Sequence, residues 1–217
     1  MTIQDLKMFI DGEWVESSSN KKIETLNPEN NEVWATVPEA NEEDVNKAVI
    51  AAQKAFETTW GNLHPAKRAK YLRAIADELR ENAEHLGKIE TIDTGKLYRE
   101  TRTQANYIAE YYDYFAGLAD KVEGTVVPID KPDMQVTTVR IPIGVVAAII
   151  PWNSQMLLTA VKLAPACKTK CRVCYMAWHE CNEPSSSNSR QGGMEPLGHC
   201  CYREYNQCAP NGRLSFN

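Results

Sequence analysis

Two groups of residues in this 217-residue chain have types and spacing that could do chemistry. The first is Trp152-Asn153, which follows Pro151 at the end of the apolar run Val145-Val146-Ala147-Ala148-Ile149-Ile150. An amide at the carboxyl end of such a strand stands where open α/β sheets bind ligands, next to the free N–H groups of the following helix. It could also serve simply as the cap of that helix. The second group is the thiols: all seven cysteines lie between Cys167 and Cys208. Cys171-x2-Cys174 is a zinc half-site, with His179, Cys181, His199, Cys200, Cys201 and Cys208 as possible partners. A zinc ribbon pairs two half-sites of defined spacing, and adjacent Cys200-Cys201 is not one. A disulfide framework sits poorly with an odd number of cysteines.

Holding the amide requires a strand, a tight turn and a helix. Six consecutive apolar residues rich in Val and Ile predict a strand buried on both faces, as parallel sheets require. Pro151 ends it, and Met156 to Ala166 reads as a helix with Leu157, Ala160, Val161 and Ala164 on one side. Together these make half of a βαβ unit. Upstream, Phe9-Ile10-Asp11-Gly12-Glu13-Trp14-Val15 predicts a short hairpin, because both turn positions tolerate positive φ. Lys22 to Leu26 and Glu32 to Val37 read as extended, separated by Asn27-Pro28-Glu29-Asn30-Asn31. Helices follow. Asn41 caps the first, whose stripe is Val45, Ala48, Val49, Ala52 and Phe56. Pro65 opens the next, with Ala69, Leu72, Ala76 and Leu79 inward. Leu86, Ile89 and Ile92 continue to Gly95, and a last helix carries Ala105, Ile108, Tyr112, Phe115 and Ala119. Tyr107, Tyr111, Tyr112 and Tyr114 are read as packing residues. Gln135 to Ile141 returns to strand chemistry.

Composition narrows the function classes. With 43% hydrophobic residues and a formal net charge of -5, the chain can build a sizeable core and lacks the positive face that nucleic acid demands. No run approaches the roughly 18 apolar residues of a membrane span, and the charged N-terminus is unlike a secretory signal. A soluble cytoplasmic protein is expected. Composition then breaks near residue 167. Before that point 18 basic face 25 acidic residues; from Lys168 onward 6 face 4, and Val173, Leu197, Leu214 and Phe216 are the whole stock of Val, Ile, Leu and Phe.

Several segments together resemble one family. Ile149-Ile150-Pro151-Trp152-Asn153, followed by Lys162-Leu163-Ala164-Pro165-Ala166, is similar to the start of the dinucleotide-binding domain of NAD(P)-dependent aldehyde dehydrogenases. Phe9-Ile10-Asp11-Gly12-Glu13-Trp14, Asn27-Pro28, Glu90-Thr91-Ile92-Asp93-Thr94-Gly95-Lys96, Tyr112 to Asp120 and Val126-Val127-Pro128-Ile129 agree in order and spacing. The resemblance covers about residues 7–166. It implies an α/β fold: a small β region, helices, and the start of a Rossmann-like parallel sheet. It implies oxidation of an aldehyde to a carboxylic acid by a cysteine thiolate, with NAD or NADP accepting hydride and a glutamate activating water. Asn153 matches the family asparagine whose amide donates to the oxyanion. Ile149, Ile150, Pro151 and Trp152 match positions lining the nicotinamide side of the cleft, although core packing explains the isoleucines equally. Lys162 matches a recurrent lysine, or sits on a solvated helix face. Asp93 with the Leu26 carbonyl resembles a monovalent-cation site, or Asp93 caps the reversal at Gly95. Full-length members are expected to be homo-oligomers.

The family pattern is not followed after Ala166. The ungapped position of the ribose-binding lysine is Met176, and the general-base glutamate and nucleophilic cysteine are expected beyond this chain. Tyr205-Asn206-Gln207-Cys208 has the Gln-x-Cys order of the catalytic thiol in the wrong spacing. Residues 1–166 are therefore expected to be the N-terminal part of a cofactor-binding domain, and 167–217 an aberrant, unstructured tail, read from a shifted frame or an intron. Such a truncated chain is expected to be inactive alone. Two other classes stay open: a non-catalytic oligomerisation fragment docking through Gln135–Ile141, and a zinc module in the tail.

Overall fold

The computed structural model describes residues 3–169 and the backbone of Arg172–Ala177. Five short strands come first: β1 (Gln4–Asp5), β2 (Met8–Ile10), β3 (Glu13–Val15), β4 (Lys22–Leu26) and β5 (Val33–Pro38). β2 and β3 form the expected hairpin, Ile10 opposite Glu13, around Asp11 at φ 53° and Gly12 at φ 88°. Two successive positive φ values give the type I′ turn whose twist matches that of the strands. β4 and β5 pair antiparallel, and β1 adds to β5 in parallel. Their turn is closed by Asn27 Oδ1, which accepts from the Glu29 N–H at 2.9 Å.

Four helices follow: α1 (Glu42–Thr58), α2 (Pro65–Glu81), α3 (Ala83–Thr94) and α4 (Tyr98–Gly117). Asn41 caps α1 in a full capping box with Asp44. The Asp44 carboxylate is buried, accepting from Ser17 Oγ at 2.8 Å and from the N–H groups of Ser18 and Asn41. Burial pushes this carboxyl up, but the hydrogen bonds together hold it below its ordinary range. Pro65 stands at the start of α2, where its missing N–H costs nothing. α3 ends on Gly95 in the left-handed conformation, φ +72°.

The main core lies between α2, α4 and α5 (Gln155–Lys168). Leu72, Ile108, Tyr112, Met156, Ala160 and Ala164 fill it, and Leu72, Ile108, Ala160 and Ala164 are fully excluded from solvent. Each large aliphatic side chain buried this way contributes about 1.5–3 kcal/mol. Small residues at Ala160 and Ala164 let α5 lie close against α4. Between α4 and α5 the chain forms a ribbon of β6 (Val126–Val127) and β7 (Val136–Thr137), then β8 (Val145–Ile150).

Four expectations need correction. β8 is buried on one face only: Ala148 and Ile150 are inside, whereas Ala147 and Ile149 face out. Both α5 and α1 reach β8, but the helices leave Ala147 and Ile149 open to solvent. The strand expected over Gln135–Ile141 pairs only at Val136–Thr137, because β6 presents just two residues to it. The α1 stripe is thinly covered, with Ala52 buried and Val49 exposed. Of the four tyrosines, Tyr112 is in the core and Tyr111 packs against it, but Tyr107 and Tyr114 are exposed.

Regular structure extends past Ala166 for one segment. α5 continues to Lys168, and β9 (Arg172–Ala177) runs parallel to β8 with Val145 opposite Arg172 and Ile150 opposite Ala177. The low apolar content averaged over fifty residues concealed a six-residue strand that contains the β-formers Val173 and Tyr175. The zinc reading through Cys171, Cys181, Cys200, Cys201 and Cys208, and the remainder of the tail, lie outside the described residues.

Candidate functional site

β8 delivers the chain to a turn. Pro151 leaves the strand with extended backbone, Trp152–Ser154 forms one 3-10 turn, and α5 begins at Gln155. Asn153 is exposed in this turn. It does not cap α5: the cap position is Ser154, and no side chain makes a capping bond there. Ile149 and Trp152 are about half exposed, at 52% and 47%, and Pro151 is exposed, whereas Ile150 is fully buried. Strand alternation thus separates the two isoleucines, one into the core and one onto the open face. Lys162 is exposed on α5, away from the buried stripe.

A polar cluster lies beneath the turn, and sequence reasoning assigned no role to most of it. Glu90, on α3, is 4% exposed. Its Oε1 accepts from Lys96 Nζ at 3.2 Å, and the carboxylate faces the first turn of α5 near Met156. Its Oε2 is buried without a hydrogen-bond partner among the described residues. Burial pushes the Glu90 carboxyl above its ordinary value, against the opposing pull of the Lys96 ammonium and the Met156 N–H. Lys96 Nζ donates to Ser154 Oγ at 3.0 Å, and Gln104 Nε2 donates to the same oxygen at 3.2 Å. Glu90 and Lys96 stand six positions apart, but the bond from Lys96 to Ser154 spans 58 positions and has no local signal.

Asp93 is brought beside the end of β4. Its Oδ1 accepts from Thr25 Oγ1 at 3.2 Å and its Oδ2 from Gln155 Nε2 at 2.8 Å. Both Asp93 carboxylate oxygens thus accept from neutral donors, one of them the side chain of the residue that precedes Leu26 in β4. Among the described residues no cluster of three or more His, Cys, Asp or Glu side chains could hold a metal ion. No helix among them is long and apolar enough to cross a membrane.

Known proteins are similar to this chain. Residues 14–177 match the aldehyde dehydrogenase family. A (Z)-2-((N-methylformamido)methylene)-5-hydroxybutyrolactone dehydrogenase from Acinetobacter baylyi is 46% identical over 183 residues, 84% of this chain and 37% of that protein. A betaine aldehyde dehydrogenase from Bacillus subtilis is 39% identical over 160 residues, 73% of this chain and 33% of that one. Among solved structures, a betaine aldehyde dehydrogenase from Staphylococcus aureus in complex with NAD+ superposes with a TM-score of 0.76 at 41% identity, covering 79% of this chain and 34% of that chain. The chain spans about a third of the length of these relatives. The match also runs through β9, beyond the Ala166 boundary expected from composition. The β4–β5 pair, the helical layer and the β8–turn–α5–β9 unit, all within the matched residues 14–177, place the chain in the aldehyde dehydrogenase family.

Proposed function

We propose that this chain carries the oxyanion-donating, nicotinamide-side part of an enzyme that oxidises aldehydes to carboxylic acids with NAD+ or NADP+. The observation that carries this is the exposed, non-capping Asn153 in the turn that ends β8. A side chain that neither caps a helix nor packs in the core is free to meet a substrate. The exposed Ile149, Pro151 and Trp152 beside it suit the flat apolar ring of a nicotinamide, which when bound supplies the hydride acceptor. Ile150 contributes from the core side by holding the strand end in place.

Asn153 Nδ2 donates to the oxygen that becomes an alkoxide when a thiolate adds to the aldehyde carbonyl. A neutral, pre-aimed donor stabilises the charge as it develops. Residues 1–166 then form the N-terminal part of the cofactor-binding domain. The cation reading at Leu26 and Asp93 is supported only by the bond that ties Asp93 to Thr25, the residue before Leu26. Thr25 and Gln155 hold the carboxylate without an ion, and no step is routed through one.

A chimaera tests the main reading. Residues 7–166 replace the matching segment of the Staphylococcus aureus enzyme, and NADH formation is followed with betaine aldehyde. Asn153→Ala in that chimaera is expected to lower kcat by about 10²–10³ with little change in KM. An unchanged kcat sinks the oxyanion role.

A second reading, assembly with further copies, is favoured by the β6–β7 ribbon. Val139, Ile141 and Ile143 beyond it are 78%, 80% and 89% exposed. Exposed apolar residues in series beside a strand edge mark a docking surface.

A further inference from the structure

We propose that Glu90 and Lys96 are positioning residues that hold the Asn153 amide at its working place. The inference rests on reading Asn153 as the oxyanion donor, and it adds what fixes that donor.

The turn lacks the usual anchors. An α-helix leaves its first N–H groups without intrahelical partners, and a capping side chain normally takes one of them. α5 has no such cap. Its first turn instead faces Glu90, a buried carboxylate from another helix. A negative group at a helix N-terminus is favoured by the macrodipole. On the other side of the turn, Ser154 Oγ is held by Lys96 at 3.0 Å and by Gln104 at 3.2 Å. The two residues directly after Asn153 are therefore both tied to the α3–α4 layer, Ser154 by Lys96 and Gln104 and Gln155 by Asp93.

The pair is built for this place. A buried carboxylate needs a cation nearby, and Lys96 supplies it. Lys96 reaches back only because Gly95 turns the chain in the left-handed conformation. A Cβ at Gly95 would also lie 3.0 Å from Pro28 Cγ. One ammonium thus joins Glu90 to Ser154. An oxyanion donor has to be held to within about 0.5 Å, and a misplacement of about 1 Å can cost on the order of 10²-fold in rate. Rigid ties on the following residues are the physical means of that precision.

The 217-residue chain itself serves for the test, with NMR order parameters at the Asn153 backbone and side-chain amides and hydrogen exchange at the Met156 amide. In the unmodified chain Asn153 is expected to be rigid, with an order parameter of about 0.85. Lys96→Met and Ser154→Ala are each expected to lower it below about 0.6 and to speed Met156 exchange roughly tenfold, while Lys96→Arg keeps the order. Amides in the α2–α4 core stay protected throughout. Unchanged order at Asn153 in Lys96→Met and Ser154→Ala overturns the inference. So does equal loss in Lys96→Arg and Lys96→Met, or loss spread over the α2–α4 core. These readouts are independent of the kinetics of Asn153→Ala. A mobile Asn153 with intact donor kinetics defeats the positioning role alone, and a rigid turn with unchanged kcat in Asn153→Ala defeats the donor role alone.

Discussion

The Gln155 side-chain amide donates to Asp93 Oδ2 at 2.8 Å, joining the first residue of α5 to the last turn of α3 across 62 positions of sequence. With the Lys96–Ser154 bond beside it, this makes α3 the platform on which the Asn153 turn rests. Gln155→Ala is expected to lower stability by about 1 kcal/mol, the usual net worth of such a bond. Urea unfolding measures it. Replacing potassium by tetramethylammonium at constant ionic strength should leave the midpoint unmoved, because Asp93 is held by two neutral donors; a clear shift would put an ion there.

Asp44 makes stability fall in acid. Its folded carboxyl is held below the ordinary value of 3.8. A depressed folded value means that the stabilisation is fully present above 3.8 and is lost as the pH falls from there through the folded value. Asp44→Ala should cost about 1–2 kcal/mol at pH 7 through loss of the capping box, and the difference from the unmodified chain should shrink as acid protonates the carboxylate. Parallel unfolding curves at every pH would contradict this.

Glu90 has the opposite sign. Its folded carboxyl is raised above the ordinary value of 4.5 by burial, so its contribution is most favourable below 4.5 and is lost as the pH rises through the folded value. Relative to Glu90→Gln, which does not titrate, the unmodified chain should lose stability over that rise and then level off. Thermal unfolding of both proteins across mildly acidic to neutral pH checks the sign.

Gly87 lets α3 and α4 touch. A Cβ at this position would stand 2.8 Å from both Cα and N of Arg102, which are backbone atoms that cannot swing aside. Thr101 Oγ1 donates to the Gly87 carbonyl at 2.8 Å across the same contact. Gly87→Ala is expected to cost on the order of 1–3 kcal/mol, read from urea midpoints. A neutral substitution would mean that the two helices can separate freely.

The ribbon prediction concerns assembly. Ile141→Glu combined with Ile143→Glu should shift the chain to a smaller species in sedimentation velocity and leave its circular dichroism unchanged. Both side chains are at least 80% exposed, so the folded monomer has little to lose from the change. If the unmodified chain already sediments as a monomer at tens of micromolar, the docking surface is not used by copies of this chain.

Much of the layout was legible because its determinants are local. Asp11-Gly12 dictates its hairpin through the φ values that these two residues tolerate, and Asn41 with Asp44 writes a capping box within four residues. The helical stripes on α2 and α4 follow from 3.6-residue periodicity, and Leu72, Ala76, Ile108 and Tyr112 are buried as that pattern requires. The stripe on α1 misled, since periodicity says which residues share a face but not whether another element covers it. The same gap explains β8: a run of apolar residues announces a strand, while its burial depends on how many neighbours the sheet has.

By itself, the sequence determined the hairpin, the helices, the apolar strand ending at Pro151, and the family through motifs whose residues are close in the chain. Tertiary structure alone decided that Ile149 faces out while Ile150 is buried, that Arg172–Ala177 is a strand parallel to β8, and that Ser154 rather than Asn153 occupies the α5 cap position. It alone brought Glu90, Lys96 and Gln104 to the turn. The reason is physical. Turn and cap chemistry act between residues a few positions apart, whereas desolvation of Glu90 and the bonds of Lys96 and Gln104 to Ser154 exist only once α3, α4 and α5 have packed.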